Sequence, residues 1–275
     1  SSREYAFSLM GNRAGYQTVC LQADGTRVVH FSYNDRGRGP ALTSKIQLDA
    51  KNVPVAITTD GNDYLKGLVA ERFTRAAGTA AWQNKVESGT QPVAGAAFYV
   101  SQSGSFEELG LLARALRDAP DRKLALLPQG EAVLQQLSQL QISNGESSRQ
   151  VSLYSIGGLG FQPSSVWLDE DGELFATFDG FSTLVREGWQ VSLTAMRAEE
   201  DAQEAHLEVG PQLPHLVEEE GPPVGLLEAA PPDPRGPREG ALLVAEQLAL
   251  DEALGDGAAV DGHEGAGPPR PLGVH

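Results

Sequence analysis

The chain has 275 residues, of which 40% are hydrophobic and 21% charged, a composition that suits a folded protein with a sizeable core. Its formal net charge of −16 argues against nucleic acid as the main partner, because binding phosphates requires a basic face. No apolar run approaches the roughly 18 residues of a membrane-spanning helix. Cys20 is the only cysteine, so neither a disulfide framework nor a CxxC metal or redox motif is possible within one chain.

The residue composition changes abruptly near Leu207. Residues 207–275 contain no Phe, Trp or Tyr, but they hold 11 of the 17 prolines and 11 of the 31 glycines. Such a segment lacks the large side chains that a core requires, so we predict a disordered, low-complexity tail. Ser, Thr, Asn, Lys, Ile, Met and Cys are missing as well. Most of the missing residue types have AT-rich codons, so a frameshift near Leu207 would explain their absence. An ordinary acidic linker rich in Pro and Gly is the alternative.

Residues 5–104 have the pattern of an antiparallel β-meander. Most of the strand-length runs are rich in β-branched or aromatic residues, and turn signals such as Asp24-Gly25 separate them at roughly ten-residue spacing. Their alternation predicts one buried and one wetter face of the sheet. The expected strands cover residues 6–10, 16–22, 26–34, 42–49, 53–60, 68–74 and 80–87.

A helix is predicted at 106–118, because Ser105 is a good N-cap and apolar residues recur at helical spacing after it. Further strands are expected at 122–128, 149–158, 164–170 and 173–179, with Asp171-Gly172 as a hairpin turn. The run 131–143 is compatible with either helix or strand, and a final helix is expected over about 181–205. These elements predict an α+β fold that is mainly β, with a long twisted antiparallel sheet packed on one or two helices over 3–206.

The loop Asn34-Asp35-Arg36-Gly37-Arg38-Gly39-Pro40 has the composition of a phosphate-binding loop but not the required context. A phosphate-binding loop opens a helix, whereas here Pro40 and another expected strand follow. A wide or bulged turn, with Asn34 and Asp35 capping their own backbone, is the preferred interpretation.

The sequence contains no clear candidate for a catalytic residue. Four of the five histidines lie at or beyond His206, no HxH or HExxH pair exists, and His30 fits a structural role in a strand. No GxSxG motif is present, and Ser103 lacks an obvious histidine base. We therefore predict no catalytic residue, no cofactor-binding residue, no metal ligand and no cofactor in this chain.

The aromatic residues suggest a different kind of site. Most are expected to belong to the core, but a single short helix can leave part of the apolar face of a long sheet uncovered. An apolar groove or partner face lined by Trp82, Phe98 and Trp167 would then remain beside residues 106–118.

Several short motifs together resemble the N-terminal leader region of secreted, metal-dependent bacterial amidohydrolases. The resemblance covers about residues 3–206 and rests on "GNRAGYQTV" (11–19), "YNDRGRGP" (33–40), "GNDYLKGLVAERF" (61–73) and "VSLYSIGGLGFQPSSVWLDEDGELFAT" (151–177), among others. It implies a β-rich segment that precedes a catalytic (β/α)8 barrel. The family's metal ligands lie on that barrel and have no counterpart here, and the resemblance ends near Leu207.

The resulting expectation is a non-catalytic accessory domain from a periplasmic or secreted protein, whose parent hydrolyses C–N bonds and whose partner is the missing barrel. The start at Ser1 fits a chain whose leader peptide was removed, and it fits equally well a start left by the expression vector. A periplasmic binding or carrier domain with a groove for a lipid or other hydrophobic molecule is the alternative. A third interpretation classes the chain with the amidohydrolases on similarity alone.

Overall fold

The computed structural model describes residues 2–208, with their side chains through Ala205. Fifteen strands and two α-helices make up most of this part of the chain, and two short 3-10 turns lie at Pro120–Arg122 and Gln190–Ser192. The helices are α1 (Phe106–Asp118) and α2 (Leu193–Glu208). The strands are β1 (Ser2–Leu9), β2 (Asn12–Leu21), β3 (Arg27–Tyr33), β4 (Ala41–Leu48), β5 (Pro54–Asn62), β6 (Leu68–Ala76), β7 (Thr79–Gln83), β8 (Ser88–Pro92), β9 (Ala97–Tyr99), β10 (Lys123–Leu127), β11 (Glu131–Ser143), β12 (Ser148–Gly157), β13 (Ser164–Asp169), β14 (Leu174–Asp179) and β15 (Ser182–Arg186).

All fifteen strands belong to one sheet, which confirms the expected mainly β fold. The sheet runs from β8 through β1 to β15 and on to β9, so the first and last of the described strands pair in its middle. That central pairing sets Tyr5 opposite Arg186 and Phe7 opposite Leu184. The sheet therefore consists of two meanders that are joined along β1 and β15, with β8 and β9 as its edges.

One pairing departs from the expected antiparallel arrangement. Strands β9 and β10 are parallel, with Phe98 opposite Leu126. Parallel neighbours need a crossover connection, and α1 supplies it between the two strands. The helix is thus placed by the topology of the chain as well as by its apolar stripe.

The two edges of the sheet are brought close together because only residues 93–96 connect β8 to β9. The ring of Tyr99 stacks on Phe73 of β6 with centroids 4.4 Å apart, and its hydroxyl donates to Glu71 at 2.8 Å. Side chains of β9 therefore reach the inner side of β6, and the long sheet curls around α1.

Two hydrophobic clusters lie on opposite faces of the curled sheet. The inner cluster contains Leu111, Leu112 and Leu116 of α1 together with residues such as Phe7 and Ile57 from the strands. The outer cluster contains Trp167, Phe175 and Trp189 and is covered by Met196 of α2. The sheet thus buries one face along its whole length and the other face only beneath α2.

Two predicted elements differ from the structure, one in type and one in length. The expected helix at 181–205 is instead the strand β15 followed by α2. Strand β15 forms because Asp179 caps the turn before it, through Phe181 N–H and the Ser182 hydroxyl, and because β1 and β14 offer a partner on each side. The expected strand 80–87 stops at Gln83, where the Asn84 side chain accepts the N–H groups of Val86 and Glu87 at 2.9 Å and turns the chain into β8.

Other predictions agree closely with the structure. Helix α1 has the predicted bounds, and the ambiguous run 131–143 is the strand β11. The predicted low-complexity tail lies outside the described residues, apart from the last two residues of α2.

Candidate functional site

The three residues predicted to line one apolar groove do not share a surface. Phe98 is 2% exposed and belongs to the inner cluster, against which the half-buried Trp82 also packs. Trp167 is fully buried in the outer cluster beneath α2. The prediction missed this because successive residues of a strand face opposite sides, so Val166 and Leu168 face inward and Trp167 faces outward.

Trp82 does line a shallow open depression of ≈ 500 Å³ on β6, β7 and β8. Its ring lies over Gly89, where a Cβ atom would come within 2.5 Å of a ring carbon, and its Nε1 donates to Glu87 at 3.2 Å. The remaining lining is largely polar and includes Arg72, Ser88 and Thr90. The depression could hold a small side chain or molecule, but it does not enclose one.

The most elaborate polar centre inside the sheet surrounds the first turn of α1. Glu107 is 1% exposed and accepts hydrogen bonds from Arg3 at 2.8 Å and from Arg27 at 3.1 Å. Glu173, next to β14, pairs with the same two arginines and with Arg114 of α1 at 2.8 Å. Three guanidinium groups and two carboxylates therefore connect α1 to β1, β3 and the turn before β14.

The ionisation of the two carboxylates in this centre differs. Burial opposes ionisation of Glu173, but the hydrogen bond from Arg27 and the positive charges of Arg3 and Arg27 lower its pKa to about 2. Burial raises the pKa of Glu107, while the charges of Arg3 and Arg27 act against that shift. The arrangement stabilises charge and fills space, and it offers no open position for a reacting atom.

A second buried polar group holds the loop between β9 and α1. Glu71 is 1% exposed and accepts the Gln102 N–H at 2.9 Å and the Ser103 N–H at 2.8 Å, in addition to the Tyr99 hydroxyl. Glu108 lies close by, and its Oε1 accepts the Ser105 N–H at 3.1 Å. Complete burial raises the pKa of Glu108 to about 7.

The sequence contained little indication that these carboxylates would be buried and hydrogen-bonded inside the sheet. Glu71, Glu107 and Glu108 belong to no catalytic or metal-binding motif identified in the sequence. Ser103 contributes its backbone N–H to Glu71 and lies in the loop between β9 and α1. A signal was nevertheless present, since Glu71 alternates in step with the apolar Val69 and Phe73.

The glycine- and arginine-rich loop is a turn, as expected, but it is a tight two-residue hairpin turn and not a wide or bulged one. Asn34 caps the backbone as predicted, whereas the Asp35 carboxylate accepts from the side chains of Arg36 and Tyr64. Arg36 and Gly37 have φ angles of 50° and 90°, as a two-residue turn with positive φ at both positions requires. The Asp35 N–H donates to the Arg38 carbonyl at 2.8 Å, and the Gly37 N–H donates to the Asn34 side chain at 2.9 Å. The Tyr64 hydroxyl donates to Asp35 at 2.7 Å, which anchors the turn to the hairpin between β5 and β6.

Metal binding finds no support in residues 2–208, where no three His, Cys, Asp or Glu side chains are grouped to hold an ion. His30 is exposed on β3 with its Nδ1 3.0 Å from the Thr43 hydroxyl oxygen, in keeping with a structural role. The same part of the chain contains no helix that combines the length and the apolar character needed to cross a membrane.

No family model and no curated protein matches the chain. A crystal structure of a β-barrel-like protein of the domain of unknown function DUF1849, from Brucella abortus, is similar at 15% sequence identity with a TM-score of 0.42. That similarity covers 67% of this chain and 94% of the Brucella chain.

Proposed function

We propose that residues 3–206 are a non-catalytic accessory domain of an exported, amidohydrolase-like protein. The observation that carries the proposal is the filled interior of the sheet. Helix α1 occupies it, and Glu107 and Glu173 are neutralised there by Arg3, Arg27 and Arg114. An enzyme site needs a concave, accessible place where reacting groups converge, whereas these groups converge on one another.

The proposed parent protein carries its metal and its hydrolytic activity on a barrel that follows this domain. The described residues contribute structure and no reacting group. The motifs of the resemblance support this assignment, as does the end of that resemblance where the composition changes, near Leu207.

The coding DNA beyond codon 206 provides the first test. We expect one reading frame to encode a metal-dependent barrel with an HxH motif. The polypeptide from that frame should contain bound metal and hydrolyse amide C–N bonds. The chain of residues 1–275 should do neither, and elemental analysis should find less than one zinc per chain. Hydrolysis of amides by residues 1–275, or stoichiometric zinc in it, would overturn the proposal.

The depression beside Trp82 favours a second candidate function, the binding of a hydrophobic molecule. Ala81 and the half-buried Trp82 supply its apolar part. If the domain is a carrier, a dye such as ANS should bind the folded chain, fatty acid should displace the dye, and Trp82→Ala should abolish both effects. Dye binding without displacement by fatty acid would exclude the carrier function.

A further inference from the structure

Strand β8 leaves one edge of the sheet open. It spans Ser88–Pro92 and, among the described strands, pairs only with β7. Ser88, Thr90 and Pro92 are exposed, none of its five residues is charged, and its register with β7 contains no bulge. Proteins usually protect such edges with charged side chains, bulges or a covering segment, because an unprotected edge pairs readily with another strand. All three residues of the other edge, β9, are buried, so β8 is the edge that is available for pairing.

The hydrogen bonds at the two ends of the β7–β8 pair show which backbone groups of β8 are free. The Asn84 N–H donates to the Glu87 carbonyl at 2.9 Å, and the Val93 N–H donates to the Gly78 carbonyl at 2.8 Å. The register between these two pairs is unbroken. Since hydrogen-bonded and non-hydrogen-bonded pairs alternate along an antiparallel ladder, the odd-numbered residues of β8 bond to β7 and the even-numbered residues do not.

The even-numbered residues of β8 therefore direct their backbone groups away from the sheet. Ser88 and Thr90 each present an N–H and a C=O group, whereas Pro92 presents only a C=O group. No residue within 2–208 bonds to these groups. The edge thus offers a row of donors and acceptors to a strand that approaches it.

We infer that a second copy of this chain pairs with β8, in antiparallel orientation and with Thr90 on the two-fold axis. This register pairs all five residues of both strands. The two Thr90 residues donate to each other's carbonyl groups, and each Ser88 N–H donates to the Pro92 carbonyl of the other copy. The absent N–H of Pro92 leaves only the Ser88 carbonyl without a protein partner, at the end of the ladder where water reaches it. The inference goes beyond the proposed function and does not depend on it.

The side chains at this edge suit a second copy of the same strand. In this register Gly89 of one copy faces Gln91 of the other, on the face of the sheet where the Trp82 ring lies over Gly89. Because Gly89 has no side chain of its own, the Gln91 side chain has room there and would cover the half-buried Trp82 ring. The contact is thus complementary in shape as well as in hydrogen bonding.

The charges near the edge do not oppose the pairing. Arg72 is paired with Asp60 at 2.6 Å and Lys85 with Asp63 at 3.0 Å, so these cations are neutralised within their own chain. The uncharged strand lies between them. The repulsion that a net charge of −16 imposes on two copies is therefore weak along this edge.

The dimer should be closed and weak. Each copy uses its one open edge, so the contact is the same on both sides and no open edge remains to extend the assembly. A pair of five-residue strands buries less surface than a stable dimer interface, so association should depend on protein concentration in the micromolar range.

Sedimentation velocity of residues 1–275 measures this association. We expect a mean mass close to one chain at about 1 μM and close to two chains at about 200 μM, as suits a small interface. Thr90→Pro removes the N–H on the axis and places a ring at the edge, and it should weaken association by about tenfold or more. Pro92 occupies the next outward-facing position, so the fold should tolerate a proline there. Thr90→Val keeps the N–H and is the matched control, which should associate like the wild type.

Cysteine cross-linking tests the position of the axis, in a Cys20→Ser background that removes the exposed natural thiol. Thr90→Cys should form an intermolecular disulfide, because the Cα atoms of a hydrogen-bonded pair lie about 5.5 Å apart. Ser88→Cys is the matched control on the same edge, since its two copies would lie about 14 Å apart along the ladder. We expect oxidation with diamide to cross-link Thr90→Cys at least about tenfold faster than Ser88→Cys.

A wild type that stays monomeric at about 200 μM would overturn the inference. Association that Thr90→Pro leaves unchanged, assemblies larger than two chains, or equal cross-linking of the two cysteine variants would overturn it as well. Thermal unfolding followed by circular dichroism shows whether Thr90→Pro keeps the wild-type fold. If it does not, the comparison of Thr90→Cys with Ser88→Cys decides.

Discussion

Replacing Glu173 by Gln should destabilise the protein in a pH-dependent way. The carboxylate forms ion pairs with three guanidinium groups, and its pKa is about 2 in the folded protein against an ordinary value of 4.5. A difference of this size between folded and unfolded states corresponds to at most about 3 kcal/mol of stability. The side chain is 21% exposed, so screening by solvent should reduce the measured effect to about 2 kcal/mol.

The direction of the pH dependence follows from the lowered pKa. The contribution of Glu173 is complete above pH 4.5 and is lost as the pH falls through 2, because the folded state then has to accept the proton. Urea unfolding followed by circular dichroism at pH 7, 4.5, 3 and 2 should show a difference between wild type and Glu173→Gln that is largest at pH 7 and close to zero at pH 2. The neighbouring Glu170→Gln serves as a control, because Glu170 makes only an exposed pair with Arg149. A difference that does not change with pH would mean that Glu173 acts through shape rather than charge, and the reasoning would be refuted.

Three further predictions concern other parts of the described structure and the tail. Glu108→Gln should leave the free energy of unfolding unchanged at pH 4 and raise it by up to about 3 kcal/mol at pH 8. The buried carboxyl of the wild type has a pKa of about 7 and must lose its proton as the pH rises, whereas the amide does not ionise. Chemical unfolding at the two pH values measures the difference. Gln17→Leu should raise the free energy of unfolding by about 1 kcal/mol, since the Gln17 amide is fully buried and has no hydrogen-bond partner among the described residues. A loss of stability would indicate that an internal water is hydrogen-bonded to the amide. Removing residues 209–275 should leave the thermal midpoint nearly unchanged, because the segment has few large side chains to bury, and a drop of many degrees would show that it packs on the domain.

Local sequence signals were sufficient for most of the elements. Ser105 and the apolar stripe after it located α1, and Asp171-Gly172 located the turn between β13 and β14. Strand β15 was missed because one of its two partners, β1, is about 180 residues earlier in the sequence, and no local pattern records such a partner. Tertiary pairing outweighed the weak helical spacing of Leu184, Val185 and Trp189.

The interior of the fold was harder to predict than its outline. Arg3, Arg27 and Glu107 are ordinary surface residue types, and only the curling of the sheet brings them together in a buried centre. The predicted groove combined Phe98 with Trp167 because both are large and apolar, whereas strand alternation separates them onto opposite faces. Residue type predicted burial correctly in both cases, but not which face of the sheet each side chain would occupy.

The pairing of β1 with β15 has a consequence for synthesis of the protein. Strand β1 is synthesised before the other described strands. Its neighbour β2 follows at once, but its other neighbour, β15, does not exist until residues 182–186 have been made. Until then β1 exposes a row of unpaired backbone groups and β14 will expose another, and both are templates for pairing with other chains. A nascent or truncated product that includes β14 but ends before residue 182 therefore exposes two strand edges in addition to β8 and β9, which favours aggregation. Strand β15 has only five residues, and its pairing with β1 and β14 joins the two halves of the sheet.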